Sequence, residues 1–399
     1  MKESRLNRLK DWFRKNIRIP RGVIIAVCVL PVVLTALFYV LRSYPDIMDW
    51  VSLHISAPVR AFSGFLSSIY PFSMMEVLCT IAALFFIYYI VKAIRDTSRR
   101  REKWKLLGKR LLPVLNVALY IWNAFCWLWL SGYHAPGFAK KNNFSSSGVA
   151  LSDLILVTGY FADKANEYAL MMERDEYSHY IANRREMFAA STGIYRNIAG
   201  EFSGLSGRLY PPKSMLFSWL MSITGYTGMY FALTGEAMIN TQPPGYLMPA
   251  TVAHEHAHQL GVYAEDEASF VGILACVTSD NAIFEYAGYM SGLSYLLNAL
   301  GAEDFDEWLL IITTLTYEVN VDRFENYAFW ASQKRSDTGI RFIDDVLTAV
   351  METTSDAVNT IYDGFLKSNN QELGLKSYGA CVDLLVEYFS AKIRAEAIA

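Results

Sequence analysis

HEHAHQLGVYAEDEASF, residues 254–270, is the stretch on which the reading of this chain turns. His254-Glu255-His256-Ala257-His258 satisfies H-E-x-x-H. Two residues four apart share one helical face, so the His254 and His258 imidazoles can converge on a single metal ion. Glu255 follows the first of them and can reach a water on that metal. Pro249 suits a first helical turn and Gly261 a left-handed stop, which brackets a helix around the motif. A catalytic zinc needs a third protein ligand and one open position. Gly261 ends the helix just past His258, and a short reversal returns Glu265 toward the metal. Glu265 is therefore the preferred third ligand, Glu267 the alternative and Glu285 a weaker third choice. Ser269, one turn past Glu265, can orient a histidine or the glutamate. His256 points elsewhere on the helix, and His54, His134 and His179 are expected to be unrelated to the site.

Outward from the motif, composition points to a membrane. Hydrophobic residues make up 53% of the 399 and charged residues 19%, against about 45–50% and about 25% in soluble domains. The net charge of −3 hides an uneven distribution. Residues 1–22 carry eight Lys or Arg against two acids, and residues 92–110 carry nine against two. From Ser214 to Asp322 there is no Lys or Arg at all, but thirteen Asp and Glu. Five cysteines make no disulfide framework; a Cys276–Cys381 bridge is a possibility that no spacing supports.

Gly22–Leu41, Val77–Val91 and Leu111–Gly132 are free of charged residues. About 20 helical residues cross a hydrocarbon core of roughly 30 Å. Three transmembrane helices are thus expected over about 22–41, 73–91 and 111–132. The first reads as an uncleaved anchor that follows a basic segment. The basic N-terminus and the 92–110 loop belong in the cytoplasm, while the 43–76 loop, with only Arg60, belongs outside. Everything after about residue 133 then lies outside. Asn116 and Asn123 are expected to bond to neighbouring helices. Gly137–Gly148 reads as a linker. Met215–Leu233 is also charge-free, but its glycines, hydroxyls and tyrosines fit a buried part of the globular half better than a fourth span, with Met229–Leu233 as a strand. Helical spacing covers 151–190, 304–319, 340–365 and 376–397, with a small sheet near 225–240.

The motif stretch resembles HExxHxxGxxxEDEANF of a DUF3810-like family, uncharacterised bacterial multi-pass membrane proteins known as a domain of unknown function. TGEAMIN (234–240) and YDGFLKSNNQELGLKSYGACVDLL (362–385) agree with it as well, so the resemblance spans most of the chain. Residues 265–269 are also similar to the E-x-x-A-[ND] element of gluzincin-type metallopeptidases, whose leading Glu binds zinc. That implies Glu265 as ligand, and Ser269 stands where the element has Asn or Asp. The resemblance implies a zincin-like peptidase fold and names no substrate. The expected class is α+β, mostly α: a membrane region over 1–136, then a zincin-like metallopeptidase domain over 137–399.

The expected function is a membrane-anchored, zinc-dependent metallopeptidase acting on an extracytoplasmic protein or peptide. Zn2+ sits on His254, His258 and Glu265, and Glu255 is the catalytic base. The alternative is a membrane sensor or scaffold that binds zinc and does not cleave. The expected partners are the lipid bilayer and the substrate, with no nucleic acid. Met229–Asn240 is the expected edge strand for an extended peptide. Tyr286, Tyr289 and Tyr378 are the candidate oxyanion stabilisers, and Lys367–Gln371 a candidate turn near the site.

Overall fold

Among the described residues of this protein, known from a computed structural model, three helices are long and apolar enough to cross a membrane: Arg21–Leu41, Met74–Arg95 and Arg110–Tyr133. The structure describes residues 20–98, 103–144, 148–333, 341–369 and 380–398. The first helix, α1 (Arg21–Leu41), contains Pro31, which cannot donate to Val27. The Tyr120 hydroxyl donates to the Val27 carbonyl instead, at 3.0 Å. Asn123 donates to the Pro31 carbonyl at 2.9 Å and to Thr35 Oγ1 at 2.9 Å, as expected of a polar residue between membrane helices.

Residues 43–76, expected as a loop, are mostly helical: α2 (Pro45–Val51) runs through a wider turn at Ser52–Ser56 into α3 (Ala57–Ser68). Next come α4 (Met74–Ser98) and α5 (Lys103–Phe125), the latter continuing through a second wide turn at Cys126–Leu130 into α6 (Ser131–Tyr133).

The remaining elements are α7 (Phe138–Lys141), α8 (Leu151–Ala169), α9 (Arg184–Ala190), β1 (Lys213–Ser214), α10 (Ser218–Thr224), β2 (Gly228–Phe231) and β3 (Glu236–Ile239). They are followed by α11 (Met248–Leu260), α12 (Glu265–Val277), α13 (Ala282–Glu303), α14 (Phe305–Thr314), α15 (Tyr317–Ser332), α16 (Arg341–Ser368) and α17 (Ala380–Ile398). Mostly α with one small sheet is what the spacing predicts. The helix expected over 151–190 is broken by turns between α8 and α9, and that over 304–319 restarts after Leu315. Residues 340 and 376–379 lie outside the described residues.

The sheet has the order β1-β3-β2, with β1 parallel and β2 antiparallel to β3. Glu236–Ile239 is therefore the central strand, and of the expected edge segment only Met229–Phe231, in β2, lies at an edge. Met215–Leu233 is a short helix and a strand, so it holds no spanning helix. Nor is it all buried: Leu216, Phe217, Trp219 and Leu220 are exposed. Gly137–Gly148 is not simply a linker, because α7 buries Phe138 in the core. Cys276 and Cys381 are both free thiols.

The core lies between α8, α11, α12, α13 and α17, around Phe161, Phe270, Leu274, Phe284, Tyr286 and Phe389, all fully buried. Burying one such side chain contributes about 1.5–3 kcal/mol. An ionic clasp ties the sheet to the start of α4. The Glu236 carboxylate, on β3, accepts from the Met74 and Met75 amides at 2.9 Å each. Lys213, on β1, donates to Glu236 at 2.6 Å and to the carbonyls of Ser67 and Phe72. Glu76 accepts from the Leu216 and Phe217 amides. Acids at a helix N-terminus satisfy its orphan N–H groups and oppose its dipole.

Candidate metal centre

Helix α11 starts with Pro249 in its first turn and stops at Gly261, whose φ of 98° is the left-handed conformation a side chain would resist. The reversal turns the Val262 carbonyl back onto His258 Nδ1, 2.7 Å away. That carbonyl can only accept, so Nδ1 keeps a proton in either charge state and Nε2 is the nitrogen that gains a lone pair when the ring is neutral. His254 Nδ1 lies 3.3 Å from Ser269 Oγ on α12. Both Nε2 atoms face one oxygen: Glu265 Oε2 is 3.2 Å from His254 Nε2 and 3.5 Å from His258 Nε2.

His254, His258 and Glu265 offer ligand atoms within 4.8 Å of one another, the one such cluster among the described residues. Zinc bonds to N and O of about 2.0–2.2 Å in a tetrahedron put neighbouring ligand atoms about 3.4 Å apart. The two nitrogen-to-oxygen separations bracket that length, so the trio fits one divalent ion. Its other carboxylate oxygen, Oε1, accepts from the Tyr362 hydroxyl on α16 at 2.5 Å.

Glu255 is buried on the same helix, and its Oε2 has no hydrogen-bond partner. Burial raises its pKa, opposed by the imidazoles of His254 and His258. Burial also penalises charge at Glu265 and His258, but each outweighs it for the other. Glu265 is held well below the usual carboxylate range and His258 is raised to about 9. The carboxylate of Glu255 lies against β2, since a Cβ added to Gly228 would sit 2.5 Å from its Oε1. One helical turn back from it, Thr251 lines a cleft of about 400 Å3 together with Thr227, Asn240 and Trp330 among others.

Other expected residues lie elsewhere. Glu267 turns away from the histidines and accepts from the Phe138 and Ala139 amides at 2.8 Å each, capping α7. Burial raises its pKa to about 7 against those two bonds. Glu285, at the start of α13, neighbours Tyr168 and Lys164 instead. His256 is fully buried with Nε2 3.2 Å from Ser191 Oγ, and burial lowers its pKa to about 3. His54 stacks on Trp50, and His179 pairs with Asp175. Tyr286 bonds to Asp322 and Arg174, and Tyr289 packs on Phe161 and Tyr168, so neither reaches the centre. Tyr378 and residues 370–371 lie outside the described residues.

Sequence reading missed the tyrosines that are here. Besides Tyr362 there is Tyr226, whose ring edge meets Tyr362 at 5.7 Å between centroids. Its hydroxyl is buried without a partner, and burial, then Glu265, raises it to about 12. It also missed the wall behind His258. Trp129, at the end of the third candidate span, meets the His258 ring edge-on at 5.6 Å. Buried Arg60 donates to the His258 carbonyl at 3.1 Å and to the Tyr263 hydroxyl at 2.8 Å. No spacing rule links residues this far apart in the chain.

Residues 52–386 match the model of a family described as a protein of unknown function, DUF3810. No curated protein and no solved structure matches the chain.

Proposed function

The chain belongs to the DUF3810 family, and from that premise we propose that it is a membrane-anchored, zinc-dependent peptide hydrolase with a zincin-like catalytic domain. The observation that carries this reading is the approach of two imidazole Nε2 atoms to one Glu265 oxygen at 3.2 and 3.5 Å. It stands beside a buried, unpartnered carboxylate oxygen on Glu255.

His254, His258 and Glu265 hold the ion, with Val262 and Ser269 fixing the two rings from behind. Zinc held there would supply Lewis acidity to the scissile carbonyl and to the attacking water. Glu255 takes a proton from the attacking water and returns it to the leaving amine. An extended peptide adds to the outer edge of β2, its main chain bonding to that strand and one side chain entering the neighbouring cleft. The Tyr226 hydroxyl donates a hydrogen bond to the developing oxyanion.

The basic segments flanking the first two spans are retained in the cytoplasm. That orientation places the catalytic domain, residues 137–399, on the far side of the membrane from residues 1–19.

Glu255→Gln tests the reading. The variant is expected to keep one zinc per chain and to lose about 10²–10⁴-fold in peptide turnover. Wild-type turnover by the variant would remove Glu255 as the base, and a wild-type chain that binds zinc and cuts no peptide would end the hydrolase assignment and leave a zinc-binding sensor.

A further inference from the structure

The connection between the first two candidate spans is patterned inside out. Its polar and small residues, Ser52, Ser56, Arg60, Gly64 and Ser67, are buried against the protein. Its apolar residues face outward: Trp50, Phe62, Phe65 and Ile69 are each exposed by 45–63%. Through the wide turn at Ser52–Ser56 the buried residues recur every four, at Met48, Ser52, Ser56, Arg60 and Gly64, so α2 and α3 turn one continuous side to the protein. Between Asp49 and Glu76 the only Asp, Glu, Lys or Arg is Arg60, which is buried.

A second uncharged patch joins this one. Leu216, Phe217, Trp219 and Leu220 are exposed by 41–61%, and no charged residue lies between Lys213 and Glu236. The amides of Leu216 and Phe217 rest on Glu76, in the first turn of the second candidate span. The two patches therefore meet where that span begins. A solvated surface of this size without charge is not expected on a soluble face. A helix with its apolar face outward and tryptophan at the margin matches one lying in a membrane interface.

We propose that α2–α3 and the Leu216–Leu220 patch lie in the outer boundary of the bilayer, seating the centre to cut membrane-tethered polypeptides close to their anchor. This substrate class rests on the hydrolase reading. Arg60 spans from the inner face of α3 to the His258 carbonyl, so the centre stands about one helix diameter, about 10 Å, above that boundary. An extended chain covers this in about three to four residues. A soluble peptide has to find the cleft in three dimensions, whereas a tethered one is confined to its level.

The test uses the full-length chain in lipid nanodiscs, with the accessible Cys28 and Cys79 replaced by serine. Nitroxides are placed by Phe65→Cys, Leu220→Cys and, as control, Leu309→Cys, an exposed leucine of α14. The labels at 65 and 220 are expected to be open to oxygen and closed to an aqueous nickel chelate, and the label at 309 open to both. Chelate access at 65 and 220 equal to that at 309 overturns the bilayer seat. Shielding of both sites from oxygen and chelate alike also overturns it, in favour of a protein partner.

A second measurement compares one peptide free and N-acylated, with four residues between the acyl group and the scissile bond. The acylated form is expected to be cut at least tenfold faster, and equal rates overturn the substrate class. If the labels sit in lipid and neither peptide is cut, the seat stands and the hydrolase reading falls, taking the substrate class with it.

Discussion

Two imidazoles at the centre are set by what lies behind them. The carbonyl of Val262 forces the proton of His258 onto Nδ1, and Ser269 sits behind His254. The proton that Glu265 induces on His258 Nε2, with a pKa raised to about 9, has to leave before that nitrogen can bind metal. Zinc affinity is therefore expected to climb from pH 6 toward pH 9 and then level off. Competition titrations with a chelator of known pH dependence measure this, and an affinity flat across pH 6–8 contradicts it. Tyr362→Phe removes the donor to Glu265 Oε1. Zinc binding should weaken about 10–100-fold with the helical circular-dichroism signal unchanged; unchanged affinity would remove Tyr362 from the centre.

The histidines and Glu255 were legible at this scale because their spacing is helical geometry itself. The reversal at Gly261 favoured Glu265 over Glu267, and Glu265 is the carboxylate that meets the histidines, but what holds Glu267 away was not legible. Glu267 faces away because two amides at Phe138 and Ala139 need its carboxylate, and nothing near it in sequence announces them. Tyr226 and Tyr362 are two of 25 tyrosines, without a motif to single them out.

Among elements, the centre depends on how closely α11 and α12 approach. A Cβ added at Gly272 of α12 would lie 2.8 Å from the His254 amide nitrogen. Gly272→Ala must push the helices apart, at about 1–3 kcal/mol of stability, and separate His254 from Glu265. A lower melting temperature together with reduced zinc content is the expected result. A variant with unchanged melting and full zinc would show that the contact does not set the spacing. Of the core helices, α8 and α17 were legible from their 3.6-residue periodicity and α11 and α12 from the motif and its caps, whereas α13, apolar nearly all round, was not read from the sequence. Helices α2 and α3 were not, because a buried face of Ser, Gly and Arg breaks the usual rule for amphipathic patterning.

On the scale of the molecule, the membrane region and the globular half do not part cleanly at residue 136. Phe38, Met48, Val51, Trp129 and Tyr133 share one buried cluster with Tyr230, Tyr263 and Leu366. A fragment starting at residue 137 loses the partners of Tyr263 and His258. It is expected to bind the dye ANS strongly and to hold substoichiometric zinc, whereas the full chain in detergent binds one ion. A fragment that is monomeric, dye-silent and fully metallated would show that the domain is self-sufficient. The three spans were visible in composition, but their contact with the centre was not, since hydropathy says nothing of what a helix end touches.

The clasp of Lys213 and Glu236 at the first turn of α4 bears on any attempt to graft this head onto a foreign anchor. Glu236 needs the amides of Met74 and Met75, Lys213 needs the carbonyls of Ser67 and Phe72, and Glu76 carries the Leu216–Phe217 turn that follows β1. A splice made at the hydropathy boundary would cut through these bonds and strand an acid and an amine without company. The junction that preserves them lies a full turn inside the span, past Glu76, and a chimera has to be joined there.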